Sequence, residues 1–332
     1  MRVLILGAGP AGASCAIQLL NAGIEVVVLD KQSFPRSAPG ETLHPGVEPL
    51  LEALGIMEEI RKYPFIRHKG IVRQSAEGLT LDPYNHDHNW EGYQFFREAF
   101  DKILLERAIA YGAEFQSGVV LKSIEFDRNS IASLSTNLGS FKADFFVDAT
   151  GRSASLAKKL GIGYLVKSKP LFVHYGYVQT GGSDLFDSPQ MIWDEAGWTW
   201  ISQITENLIS WNRLSPCNPK ISKGWLPAQI ANLNSAGPPK AADVTWRIAN
   251  KISAENYFLL GDAAFVLDPV SSKGVLKAIM SGMMCGHLLA QLNPRTSNID
   301  DIHRYYNNWV NEWFLRDLQV LRSVYDGRGV GI

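Results

Sequence analysis

The chain has 332 residues, 46% of them apolar and 20% charged, enough for a sizeable buried core in two domains or in one large domain with an insertion. Its net charge is −1, with Lys and Arg dispersed along the chain, which argues against a nucleic-acid partner. Cys15, Cys217 and Cys285 are far apart and form no Cys-x-x-Cys pair, so they read as reduced, buried thiols of a cytoplasmic protein, with no metal expected.

Arg2–Leu6 is a short apolar run halted by glycine, the pattern of a buried parallel strand. Pro10–Asn21 reads as a helix of small residues closed by Gly23, and Glu25–Leu29 as a second strand ending at Asp30. Two strands joined by a helix over so short a stretch make a βαβ unit. No secretory signal is expected, because the opening apolar run carries a Gly-rich turn rather than a cleavage site. Loop 31–45 holds three prolines and a glycine and is expected to be functional rather than a plain connector. Helical spacing resumes over 46–62, strand-like alternation over 66–82, a helix over 95–111, and strand-like segments run on to Val147. Period-two alternation rich in Trp and Tyr over 171–213 predicts an antiparallel sheet. Segment 216–242 is polar, with five prolines, and is expected to wander over the surface.

A strand at 257–260 and helices over about 272–292 and about 300–324 complete the pattern. The stretch 278–292 is too short and too rich in Gly and Ser to span a membrane. In the last helix Ile302, Tyr306, Trp309, Trp313 and Leu318 fall near helical spacing, a stripe expected to pack on the body of the protein. The order predicts an α/β protein whose chain leaves a nucleotide-binding domain (1–65, 93–165 and 245–295) to build a second sheet (66–92 and 166–244). A C-terminal helix follows in 296–332.

Two motifs carry chemistry. In Gly7-Ala8-Gly9-Pro10-Ala11-Gly12, Gly7 permits the tight turn, Gly9 lets the backbone approach a pyrophosphate, and Gly12 lets the helix pack closely. The helix then offers free N–H groups to phosphates from Ala11 onward. Asp30, followed by Lys31, is placed to accept from a ribose hydroxyl. The second motif is a strand delivering Gly261-Asp262, then the run from Asp268-Pro269 to Lys273-Gly274-Val275. Asp262 suits a ribityl hydroxyl, and a helix opening at Gly274 suits negative charge on a reduced flavin.

Together with Arg97 in Phe96-Arg97-Glu98-Ala99-Phe100-Asp101, these motifs resemble the single-FAD aromatic hydroxylase superfamily, which also holds flavin-dependent halogenases and geranylgeranyl reductases. The resemblance runs from Met1 to about Leu292. It implies a Rossmann-like FAD-binding domain, an inserted antiparallel-sheet substrate domain, C-terminal helices and a C4a-(hydro)peroxyflavin oxidant. By the same resemblance Arg97 and Asp262 contact FAD, and Asp148-Ala149-Thr150-Gly151-Arg152 approaches it a second time. Arg36 with Gly40-Glu41 forms the mobile loop beside the flavin, with Glu41 a catalytic candidate.

Gly197-Trp198-Thr199-Trp200-Ile201 and Ala242-Asp243-Val244-Thr245-Trp246-Arg247 look like the halogenase branch. The chain departs from it at Ser202 in the tryptophan motif, at Lys273-Gly274 in the halide-binding step, and at the substrate-sheet lysine, where His68 stands with Lys69 beside it. The run from Asp268 to Ala278 resembles instead the monooxygenases that oxygenate a tryptophan of a partner oxidase precursor during tryptophylquinone biogenesis.

The expected activity is FAD-dependent oxygenation of an electron-rich aromatic ring. Lys273 would act as a cation at the flavin edge, His68 or Lys69 as a catalytic group, and Trp198 and Trp200 as an aromatic wall. FAD would be reduced by NAD(P)H or by a separate flavin reductase as partner. The alternatives are a flavin-dependent halogenase and a flavoprotein chaperone that binds a precursor protein.

Overall fold

The computed structural model describes residues 1–75, 78–85, 87, 89–183, 185–216, 221–222, 224–292 and 298–332. Cys217, read as a buried thiol, lies outside these residues. The fold is α/β, with a Rossmann-like sheet, a large mostly antiparallel sheet and two long helices late in the chain.

The first βαβ unit forms at the expected residues: Arg2–Leu6, Pro10–Asn21 and Glu25–Leu29. Its two strands pair in parallel at the centre of a six-stranded sheet ordered Ser253–Ala254, Tyr257–Leu259, Phe145–Asp148, Arg2–Leu6, Glu25–Leu29, Glu114–Gln116. Val3, Leu4, Ile5, Val26, Val27 and Val28 are fully buried, as in a parallel sheet covered on both faces. Each such side chain contributes about 1.5–3 kcal/mol relative to exposure.

The late helix Gly274–Ala290 packs on the first helix at close range. A Cβ on Gly282 would overlap the Ala11 carbonyl oxygen, and one on Gly286 would sit 2.8 Å from Gln18 Cβ. Glycine at these two positions therefore sets how near the helices come. That contact brings the Gly261-Asp262 turn and the start of the late helix beside the glycine-rich loop. Cys15 and Cys285, free and buried, face each other across it.

The second sheet has eight strands, and its four central strands are Leu171–Gln179, Leu208–Pro216, Gly197–Thr205 and Gln190–Asp194. They are antiparallel, as the alternation predicts. Gln190–Asp194 then joins Gly70–Ser75 in parallel.

Three segments differ from expectation. Ile66–His68 does not continue into the substrate sheet but pairs with Gly92–Gln94, which also pairs with Thr42–Leu43. The helical stretch 46–62 splits into Glu48–Ala53 and Met57–Arg61 around Gly55, whose φ of +68° breaks the helix. In 216–242 the chain returns to the sheet: Asn234–Ser235 and Lys240–Asp243 both add to the open edge of Leu171–Gln179, and Ile230 is fully buried.

The last helix, Ile299–Asp326, packs as expected, with Tyr306 and Leu318 of the expected stripe buried, and its buried face also takes in His303, Val310, Phe314, Asp317, Leu321 and Tyr325. Trp309 and Trp313 lie at the margin of that face. Among the described residues no helix is long and apolar enough to cross a membrane.

Candidate functional site

A cavity of about 770 Å³ runs between the glycine-rich loop, the Gly261-Asp262 turn and the tryptophan face of the large sheet. Gly7 has φ +99°, and its N–H donates to Leu29 O at 2.7 Å. A Cβ on Gly12 would overlap the Gly7 carbonyl oxygen, so this glycine lets the helix begin directly under the loop. At Gly9 the surroundings differ: among the described residues beyond its chain neighbours, the one atom within 4 Å of a Cβ there is Arg36 Nη2, at 2.8 Å. Gly9 thus presents bare backbone to the cavity, and no side chain caps the helix that starts at Pro10. Asp30 Oδ2 accepts from Ala8 N and Oδ1 from Gln32 N, both at 2.8 Å, so it braces the loop while lining the cavity. Lys31 lines it too.

Two further turns close on this cradle. Asp148, fully buried, accepts from Thr150 N, Thr150 Oγ1, Leu156 N and Ala157 N. Burial raises its pKa, and these four donors pull it back down. They fix the turn that brings Gly151, φ +61°, to the cavity wall. Gly261, φ +52°, is held by Ser281 Oγ at 3.0 Å. Asp262 beside it opens onto the cavity, and no hydrogen-bond partner meets its carboxylate among the described residues. Its surroundings raise its pKa by desolvation, countered by the charges of Arg152, Arg247 and Arg97.

Arg97 is locked in place. Its guanidinium donates to both oxygens of Asp101, at 2.9 and 3.1 Å, and to Pro39 O at 2.8 Å. Asp101 is fully buried and also lies 3.6 Å from Arg36 Nη2. Asp101 has no role assigned by the Arg97 motif itself; its i,i+4 spacing from Arg97 is the signal in the sequence that points to the pair. Glu41, 3% exposed, accepts from the Tyr177 hydroxyl and from Gly40 N. Burial raises its pKa against the pull of Tyr177 and Arg97.

Pro269, Gly274 and Val275 line the cavity where the late helix begins, but Lys273 does not. Sitting one residue before the helix, Lys273 sends its amine toward Asp317, 3.9 Å away, and toward His44, whose pKa is lowered to about 4 by burial and by that amine. The cation that does reach the cavity from this helix is Lys277, ion-paired with buried Asp317. The i,i+4 spacing from Lys273 was the signal that could have found it.

Trp198 and Trp200 both line the cavity, on one face of their strand. His68 and Lys69 do not. His68 is 2% exposed, wedged against Gly92, its Nδ1 bonded to Gly70 O at 3.0 Å and its Nε2 without a partner among the described residues. Burial lowers its pKa to about 4. Lys69 is exposed.

Bare backbone at Gly9 and Gly151, an uncapped helix start, a guanidinium over the glycine-rich loop and an unpartnered carboxylate at Asp262 fit a dinucleotide with a central pyrophosphate and a hydroxylated chain, as FAD has. The pyrophosphate would lie at Gly9, Ala11 and Arg36, with Gly12 packed beneath the loop, and the ribityl chain at Asp262.

A family model described as an FAD binding domain matches residues 1–221. The chain is 28% identical to a 1H-pyrrole-2-carbonyl-[peptidyl-carrier protein] chlorinase of Pseudomonas fluorescens, over 94% of this chain and 81% of that protein. It is 24% identical to a tryptophan 2-halogenase of Chondromyces crocatus, over 98% of this chain and 68% of that protein. In fold it resembles a triple mutant of the flavin-dependent brominase Bmp2, with a TM-score of 0.85 and 21% identity, over 98% of this chain and 88% of that one.

Proposed function

The chain belongs to the FAD binding domain family, and from that membership we propose that it is an FAD-dependent monooxygenase that inserts oxygen into an electron-rich aromatic ring without a halide. The chemistry of the cavity wall carries this reading. Among the described residues, the lysines lining the cavity are Lys31, beside Asp30, and Lys277, on the late helix. Among the described residues the large sheet contributes Trp198, Trp200, Tyr175, Ser210 and Asn212, with the apolar Val173 and Ala242, to the wall, and no amine. Lys69, nearest in sequence to the lysine position of halogenases, is outside the lining. A wall of indoles and neutral polar groups suits a flat, uncharged ring and offers hypohalous acid no amine from the substrate sheet, while Lys277 on the opposite, helix side is ion-paired with Asp317.

Bound FAD, once reduced, supplies the activation of dioxygen. The residues of the chain hold, orient and exclude. The glycine-rich loop, Arg36, Arg97 and Asp262 hold the cofactor, and Trp198 and Trp200 stack the ring and keep water away. Glu41 lines the cavity with a raised pKa and is the group proposed to take the ring proton that oxygen insertion displaces. The Tyr177 hydroxyl, donating to Glu41, favours its ionised, proton-accepting form. Electrons arrive from NAD(P)H or from a flavin reductase. The ring belongs to a small molecule or to a tryptophan of a partner oxidase precursor.

Halogenation is the second reading, resting on the halogenases among the relatives. Mass spectrometry of indole, phenol and a co-expressed precursor, incubated with FAD-loaded protein, reductant and air, separates the two. With and without bromide, and with Lys69→Ala, the expected product is the same oxygenated ring. A brominated product that vanishes in Lys69→Ala would replace this reading with the second.

A further inference from the structure

The last helix lies beyond the residues matched by the family model and does not itself line the cavity, yet its Tyr325 holds two residues that do. Its Tyr325 is 1% exposed, with the ring set edge-on to Trp193 and Trp246 at centroid distances of 5.2 and 5.5 Å. The Tyr325 hydroxyl accepts from Trp198 Nε1 at 2.7 Å and donates to Asp268 Oδ2 at 3.0 Å. Trp246 Nε1 donates to the same carboxylate oxygen at 2.7 Å. Asp268 Oδ1 accepts from Val270 N at 3.0 Å and so caps the turn Pro269–Ser271. Ser272 follows at φ +52°, in the left-handed region, and the late helix then begins at Gly274.

Trp198 and Asp268 both line the cavity, one on the substrate wall and one at the head of the turn on the flavin side. A hydroxyl has a single proton, which fixes the direction of this chain of bonds. Tyr325 spends its proton on the carboxylate, so the indole N–H of Trp198 must come to a lone pair of Tyr325. A buried donor or acceptor left without its partner costs about 1–3 kcal/mol. Moving either end therefore strains the other.

We infer that Tyr325 is a positioning residue that locks the substrate wall to the flavin-side turn, holding ring and cofactor in one register. The inference rests on the FAD reading above. If the lock exists, a change at Trp198 is felt at the flavin through Tyr325. If Tyr325 is only packing, the two substitutions act separately.

The test is a double-mutant cycle on FAD-loaded protein with Trp198→Phe and Tyr325→Phe, which keep the aromatic volume and remove the hydrogen bonds. The readouts are the visible flavin absorption bands, near-ultraviolet circular dichroism, and the dissociation constant of indole used as a probe. Each single variant is expected to shift the flavin bands and to weaken indole about tenfold, the scale of one buried hydrogen bond. The double variant is expected to go no further than Tyr325→Phe alone. Shifts that add in the double variant, or flavin bands unmoved by Tyr325→Phe, overturn the inference. Should Tyr325→Phe not fold, Trp246→Phe takes its place in the cycle, because its N–H shares the same Asp268 oxygen; additive shifts there overturn the lock equally. Wild-type protein that takes up no FAD would overturn the reading above as well.

Discussion

The two ends of the cavity are built from very different spans of chain. At the glycine-rich loop the parts come from one βαβ unit: Ala8 N reaches Asp30 across a separation of 22 residues, and Gly12 packs on Gly7. At the far end the parts come from everywhere. Trp198 meets Tyr325 across 127 residues, and Tyr325 meets Asp268 across 57. The first end is dense in local contacts and owes its shape to missing side chains. The second owes its shape to hydrogen bonds among large side chains brought together by the whole fold. A substitution should therefore act sterically at one end and through lost partners at the other.

The largest effect is expected at the local end. Gly12→Ala has no room beneath the Gly7 carbonyl, so FAD titration should show uptake lost altogether. Gly9→Ala, which meets only the tip of Arg36, should leave the fold intact and weaken FAD alone. Equal damage from the two would break the steric account of this end.

Arg97→Ala is the next largest. It removes both close donors to the fully buried Asp101 and leaves Arg36 at 3.6 Å as the remaining cation. Breaking a buried pair from one side costs about 3–5 kcal/mol, and urea unfolding should read that loss. Restoring stability with Arg97→Ala/Asp101→Asn would show that the uncompensated carboxylate was the cause.

The smallest effect is graded with pH. Buried His68 has its pKa lowered to about 4, so the unfolded chain binds a proton first as pH falls. The stability tied to neutral His68 is complete above pH 6.5 and drains as pH falls toward 4, at up to about 1.4 kcal/mol per pH unit. His68→Gln should flatten that part of the stability profile. Asp268, raised to about 6 mainly by burial, works in the opposite sense, favouring the folded chain as pH falls through its window, whereas His44, also lowered to about 4, adds to the slope of His68.

Legibility in the sequence follows the same division. The first strand, helix and second strand fall where they were expected, because Gly7, Gly12 and Gly23 punctuate them and the contacts are local. The stretch 66–82 alternates like strand, and Ile66–His68, Gly70–Ser75 and Gly78–Pro83 are strands, yet alternation cannot say that Ile66–His68 will join Gly92–Gln94 rather than the large sheet. Lys273 drew attention because it interrupts a motif. Its neighbour one turn on, Lys277, reaches the cavity because a helix repeats its face every four residues. Nothing around Tyr325 announces its role, since each of its partners is more than fifty residues away.

Oxygen insertion without a halide is tested most directly by product mass after a reaction under heavy-isotope dioxygen in halide-free buffer. The expected product is an aromatic ring carrying one labelled oxygen, formed at a rate that added bromide leaves unchanged. An unmodified ring in halide-free buffer, turning to a halogenated and unlabelled product once bromide is added, would contradict it.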